Sequence, residues 1–320
     1  MEIKKRKKRV FIIGAGFSKD LYNLPTLRGF FGNEKPEEFK ERFYSELVEV
    51  IGIYFGSKER ITWDSINLEE LDGFIEWKRE IFNDKKFEKA KYALNNYVIR
   101  NLAILNISEE TRRRQERFKS LFECSEGIIT INYDRGIEAI LDNGYIKYQH
   151  LFLKNLKNLV EENKFCEREI LLKLHGSIDW WGCFECGRIK VNISIQEQRI
   201  SATEKERCER CGKELEQVRL PITPFRRFER FNETFKLMWK SAYSLLKEAE
   251  EIVIIGCAFN ESDIYLRNLL RSAVRKSKNI KKIIVVDINA CVCNRIRELT
   301  GIFPFYAGNV DRYLNFWSNE

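Results

Sequence analysis

Four cysteines carry the most specific chemistry in the chain. Cys183 and Cys186 are two residues apart, as are Cys208 and Cys211, and 21 residues separate the pairs. Two such knuckles present four thiolates tetrahedrally to zinc at about 2.3 Å, and a closed four-thiolate site leaves no position open to water. The expected group is therefore a structural Zn2+ in a zinc ribbon spanning 180–220, flanked by strands at Arg188–Ile195 and Lys213–Leu220.

A second set of residues could move protons. His175 is one of only two histidines, and an imidazole exchanges a proton near neutral pH. It closes an apolar run and precedes Gly176-Ser177. Asn132 and Asp134 bring an amide and a carboxylate to the end of another such run. Taken singly, each of the three also reads as a cap, turn or core residue. His150 has no comparable setting and reads as a surface or packing residue.

A third set could hold an anion. Gly14, Ala15, Gly16 and Ser18 follow Val10-Phe11-Ile12-Ile13, so a buried strand runs into a tight turn and a helix start. Backbone N–H groups at such a turn suit a diphosphate. Lys19 stands where the third glycine of G-x-G-x-x-G would be, which excludes the dehydrogenase fingerprint.

These residues need elements to position them. Val10–Ile13, Gly127–Ile131, Ile170–Leu174, Glu251–Ile255 and Lys282–Val286 are short apolar runs that suit strands buried on both faces. Each ends in small or polar residues: Gly14, Asn132, His175, Gly256-Cys257 and Asp287-Ile288-Asn289. Open α/β sheets bind ligands outside the carboxyl ends of their strands. The fold class is α/β, a Rossmann-like doubly wound parallel sheet with a small zinc-ribbon module and a helical insertion. Residues 1–35, 123–179 and 221–320 form the sheet domain. Residues 36–122 form the insertion, with helical spacing at Glu37–Tyr54 and Asp84–Leu105, a packing face from Trp63 to Trp77, and a charged helix face at Thr111–Arg117. Closing helices are expected at Phe228–Glu250, Ser262–Ser277 and Ala290–Leu299, followed by a short tail ending in Val310-Asp311-Arg312-Tyr313-Leu314.

With 44% hydrophobic and 32% charged residues the composition is that of a globular protein. No apolar run is long enough for a membrane span, and no secretory leader is evident, so a cytoplasmic location is expected. The net charge of +8 is concentrated in Lys4–Arg9, which supplies six positive charges. Such a leader is ordinarily a solvated arm; nucleic-acid contact through it is the alternative, and would be salt-dependent and lost on removing residues 1–8. Nine cysteines, an odd number, point to reduced thiols. Cys257 reads as a buried free cysteine in preference to a nucleophile.

The ordered set Gly14-Ala15-Gly16-Phe17-Ser18, Pro25-Thr26-Leu27-Arg28-Gly29, Thr130-Ile131-Asn132-Tyr133-Asp134, His175-Gly176 and the cysteine pairs resembles the sirtuins (Sir2). Leu172–Trp180, Ile255–Asp263 and Val286–Asn289 are more similar to the Sir2-like NAD-consuming proteins of bacterial and archaeal antiviral defence than to the deacetylases. Thr26 and Ile131 depart from the deacetylase motifs, and the Phe-Gly-Glu and Gly-Thr-Ser segments that hold an acyl-lysine peptide are missing.

The resemblance implies NAD as substrate, with Ala15, Gly16, Ser18 and Arg28 at its diphosphate and Gly256 and Cys257 on the phosphate and adenosine side. It further implies Asn289 and Asp287 at the adenine ribose, Asp134 at the carboxamide, and Asn132 and His175 at the scissile bond. The implied activity is hydrolysis of NAD to nicotinamide and ADP-ribose. The alternatives are an NAD-dependent deacylase or ADP-ribosyltransferase, and a non-enzymatic module binding NAD or ADP-ribose. An NAD hydrolase must be held in check, so control is expected from a homo-oligomer, a regulatory protein partner or closure by the helical insertion.

Overall fold

The computed structural model describes residues 8–32, 35–38, 42–141, 171–183, 185, 189–191, 207–219 and 232–317. Cys186, the basic residues before Lys8, His150, Cys166, Ile170, Pro221–Phe225 and the expected helix start at Phe228 lie outside them.

Nine strands and ten α-helices occur among the described residues. The strands are β1 (Arg9–Ile13), β2 (Gly127–Thr130), β3 (Leu171–Lys173), β4 (Gly176–Gly182), β5 (Ile189–Val191), β6 (Glu216–Arg219), β7 (Glu251–Ile255), β8 (Lys282–Val286) and β9 (Phe305–Gly308). Six of them form one sheet in the order β3-β2-β1-β7-β8-β9, with every neighbouring pair parallel. Strands after β1 are laid to one side and those from β7 onward to the other. The order therefore reverses between β1 and β7, where doubly wound sheets open a ligand crevice.

The apolar runs are unbroken because both faces of the sheet are covered. Alternate side chains serve opposite layers: Phe11 and Ile13 enter one core, Val10 and Ile12 the other. The first layer holds α1 (Ala15–Tyr22), α2 (Arg42–Phe55), α3 (Leu68–Phe82), α4 (Lys85–Ala103), α5 (Glu109–Glu123) and α6 (Gly136–Leu141), together with the last helix, α10 (Val310–Trp317). The second holds α7 (Asn232–Glu248), α8 (Ile264–Lys276) and α9 (Cys291–Thr300). Asn67, Asp84 and Ser108 cap α3, α4 and α5, their side chains accepting from first-turn N–H groups. No helix among the described residues is long and apolar enough to cross a membrane.

Four expectations are corrected. Arg9 is not part of a solvated arm: it lies in β1, is buried, pairs with Glu251 of β7 and stacks 3.9 Å from the Trp317 ring. The end of the chain is not merely a tail, since β9 adds a sixth parallel strand and α10 packs Tyr313 into the core. Helix α5 is more than a charged face. Phe118 and Phe122 meet Phe17 and Phe11 edge-on at 4.9 and 5.0 Å, so α5 covers the sheet itself. Finally, β4 pairs antiparallel with β5 and β6, so this small sheet begins at Gly176, before residue 180.

Candidate active site

The site is built where β1 and β7 end. Gly14 N–H donates to the Ile255 carbonyl at 3.0 Å and Gly16 N–H to the Gly256 carbonyl at 2.9 Å. Gly256 has φ +57°, and a Cβ there would stand 2.2 Å from the Phe17 nitrogen; one on Gly14 would stand 2.6 Å from the Gly256 oxygen. Only glycines allow the two strand ends to approach so closely. Gly16, expected with Ala15 at the diphosphate, here joins the strand ends with its N–H. Ala15 lines the adjoining cavity.

Asn132 and Asp134 follow β2. Thr130 Oγ1 donates to the Ile13 carbonyl and accepts from Asn132 N–H, which turns the chain back over the end of β1. The Asn132 amide nitrogen donates to the Gly14 carbonyl and to Ser18 Oγ, both at 3.0 Å, and Ser18 Oγ donates to Asp134 Oδ1 at 3.0 Å. A carbonyl can only accept, so this chain of donors fixes which way the amide points. Asn132 Oδ1 is left buried with no hydrogen-bond partner among the described residues. Asp134 Oδ1 also takes the Gly136 N–H at 2.8 Å. Ser18 is committed to this network, another difference from its expected phosphate contact.

Asn132, Asp134, Ser18 and His175 all line one cavity of about 90 Å3. His175 comes from the turn between β3 and β4 and is buried, its ring 6.0 Å from that of Tyr133. Leu27, Phe30, Leu68, Val98 and Leu102 add apolar side chains to the lining, so the helical insertion contributes to the chamber through α3 and α4. Asp263, at the start of α8, adds a buried carboxylate to the lining. Sequence reasoning gave it no role, although it closes the Ile255–Asp263 motif.

The remaining predicted residues lie around this chamber. Arg28 is exposed, its backbone bridged to Asn67, and does not line the cavity. Cys257 is buried against Gly14; burial, reinforced by the charges of Asp263 and Asp287, pushes its thiol far above the ordinary range. It is a buried free cysteine. Asp287 and Asn289 stand at the end of β8. Asp287 Oδ1 accepts from Asn289 N–H at 2.8 Å, and partial burial raises its carboxyl against the pull of that N–H and of Arg295.

Behind the Asn132–Asp134 loop lies a buried polar network that sequence reasoning missed. Lys173 Nζ donates to the Asp134 carbonyl, to Glu138 Oε1 at 2.7 Å and to Ser177 Oγ at 2.8 Å. Burial pushes the Glu138 carboxyl up; Lys173 opposes the rise and Asp179 adds to it. In the small sheet Cys183, Cys208 and Cys211 converge, their sulfurs all within 4.8 Å of one another and Cys183 3.2 Å from Cys211. Around zinc, tetrahedral thiolates at about 2.3 Å would place neighbouring sulfurs roughly 3.8 Å apart, so this cluster fits the ion.

A doubly wound parallel sheet carrying a chamber of apolar and polar side chains at its switch point and a cysteine-bearing antiparallel sheet defines a Rossmann-like class of protein. The particular family follows from sequence comparison: a SIR2-like domain family matches residues 126–291, more than half of the chain, and the chain belongs to that family. No match is found among curated proteins. Among solved structures, the crystal structure of a Sir2 homolog–NAD complex is similar at TM-score 0.52 and 14% identity, covering 98% of this chain and 89% of that one. A structure described as the structural basis of sirtuin substrate affinity gives TM-score 0.49 at 14% identity, covering 99% and 98%. At 14% identity the first of these likenesses is one of fold.

Proposed function

We propose that this protein hydrolyses NAD, cleaving the nicotinamide–ribose bond to give nicotinamide and ADP-ribose. The observation that carries the reading is that Asn132, whose buried Oδ1 has no hydrogen-bond partner among the described residues, lines the same chamber as His175. An acceptor buried without a partner is unfavourable by about 1–3 kcal/mol, which a ribose hydroxyl or the attacking water would relieve. The motif resemblance and the fold of the Sir2 homolog–NAD complex support NAD as the ligand.

The bond at risk joins ribose C1′ to a positively charged pyridinium, so departure leaves an oxocarbenium-like ribose. A water oxygen bonds to C1′, the C–N electron pair leaves with neutral nicotinamide, and the water proton passes to the His175 imidazole. Asn132 orients the water and ribose hydroxyls. Asp134, with Oδ1 committed to Ser18 and Gly136, offers Oδ2 to the carboxamide. The apolar part of the lining takes the nicotinamide ring and keeps bulk water out. Gly256, Cys257, Asp287 and Asn289 support the phosphate and adenosine side through backbone and loop. A structural Zn2+ would be held by Cys183, Cys208 and Cys211, with Cys186 as fourth ligand. Water is the favoured acceptor because the peptide-binding motifs of the deacetylases are missing from the sequence. The resemblance to defence proteins supports a role in antiviral defence.

The test is to incubate the protein with NAD, with and without an acylated peptide, and identify the products. Hydrolysis should dominate, and His175→Ala and Asn132→Ala should each slow it by about 100-fold. Wild-type turnover in both variants removes these residues from the mechanism. Faster deacylation than hydrolysis makes the protein a deacylase, and tight nucleotide binding with no nicotinamide released makes it a binding module.

A further inference from the structure

Lys173 is an odd residue for its place. It ends β3 between Leu172 and Leu174, it is 2% exposed, and its partners Glu138 and Ser177 are 4% and 0% exposed. A buried ion pair is seldom the most stable filling of such a space; apolar side chains of similar volume often serve as well or better. The use of this charge is better sought in what it joins.

An ammonium has three protons, and Lys173 directs them to three segments. One goes to the Asp134 carbonyl in the loop after β2, one to Glu138 on α6, and one to Ser177 on β4. Ser177 Oγ and Ile178 N–H both donate to the Tyr133 carbonyl, at 3.2 and 3.0 Å. Two consecutive carbonyls of the Asn132–Asp134 loop are therefore held by Lys173, Ser177 and Ile178. Between Lys173 and Ser177 the chain makes the turn that carries His175, passing through Gly176 at φ +79°.

We propose that Lys173 is a positioning residue, its ammonium setting the spacing between the His175 turn and the loop that carries Asn132 and Asp134. The inference rests on the roles proposed above for His175 and Asn132. Lys173 touches no substrate and acts only through the groups it aligns.

Replacing Lys173 alone strands a buried carboxylate, so the informative variant is Lys173→Met combined with Glu138→Leu, which removes both charges. It should keep the urea midpoint and the NAD dissociation constant close to wild type, while kcat for NAD cleavage falls roughly 10- to 100-fold. Adding His175→Ala to it should bring the loss to about that of His175→Ala alone and no further, because groups acting as one unit are not additive. The imidazole NMR signals of His175, identified by their disappearance in His175→Ala, should shift in the double variant.

Wild-type kcat with unmoved His175 signals overturns the proposal, as does a loss that simply multiplies with that of His175→Ala. Should the double variant fail to fold, Lys173→Arg keeps the charge but cannot direct a planar fork to the same three acceptors. Full activity of that variant refutes the role. A wild-type protein that releases no nicotinamide removes the proposed activity, while the NMR shift still decides what Lys173 does.

Discussion

Replacing Gly256 by alanine adds one methyl group at the junction of β7 and α1, and the structure allows its effect to be worked out. The new Cβ would lie 2.2 Å from the Phe17 nitrogen and 2.5 Å from the Gly16 carbonyl carbon, so reaching an ordinary 3.4 Å contact needs a shift of about 1.2 Å. Neither side yields freely, because Gly256 N–H is bonded to Val286 and its carbonyl to Gly16 N–H. A side chain at φ +57° adds about 1–2 kcal/mol of left-handed strain to the roughly 1–3 kcal/mol of overpacking. The total of about 2–5 kcal/mol should lower Tm by roughly 3–7 °C. Displacing the α1 start by about 1 Å should also cut NAD cleavage by about 100-fold, since Asn132 hangs from the Gly14 carbonyl. Gly301→Ala is the control: φ is +77° there, but nothing lies within 4 Å of the added methyl, so only the strain of about 1–2 kcal/mol remains. Calorimetry and a nicotinamide-release assay on both variants decide the matter. Equal, small losses of Tm with unaltered cleavage in both would refute the argument from close approach.

Beyond the active-site and Lys173 variants, two further outcomes are expected. Purified protein should retain about one zinc per chain by mass spectrometry. Cys208→Ser should lose the metal together with hydrogen-exchange protection of β4–β6, leaving β1, β2 and β7 protected; a zinc-free wild type with a protected ribbon contradicts the site. Iodoacetamide on the native protein at mildly alkaline pH should label the exposed Cys124 and Cys291 and spare Cys257, whose buried thiol is held protonated. Early labelling of Cys257 would show that it is accessible after all.

Much of the sheet was legible in the chain because burial on both faces leaves a purely local mark, a run of apolar residues ending in polar ones. β7 and β8 match that reading to the residue. β9 escaped it: an edge strand with Phe305 exposed carries no such run. The insertion's helices were visible from their spacing, but that α5 covers the sheet depends on Phe118 and Phe122 meeting aromatic rings about a hundred residues earlier. Cys183, Cys208 and Cys211 come together as their spacing suggested.

Residue types alone established which groups were available: an imidazole, an amide, a carboxylate, a glycine turn and paired thiols, each at the end of a strand or knuckle. Which donors remain open was decided only by tertiary packing. The Gly16 N–H is taken by the Gly256 carbonyl just after β7 and the Ser18 hydroxyl proton by Asp134, and Asn132 Oδ1 is left buried with no partner among the described residues. Lys173 and Glu138, each unremarkable in the sequence, become a buried pair only when β3 and α6 meet. Hydrogen bonding is settled by proximity between segments far apart in the chain, and the sequence records that proximity only through the space that glycine leaves for it.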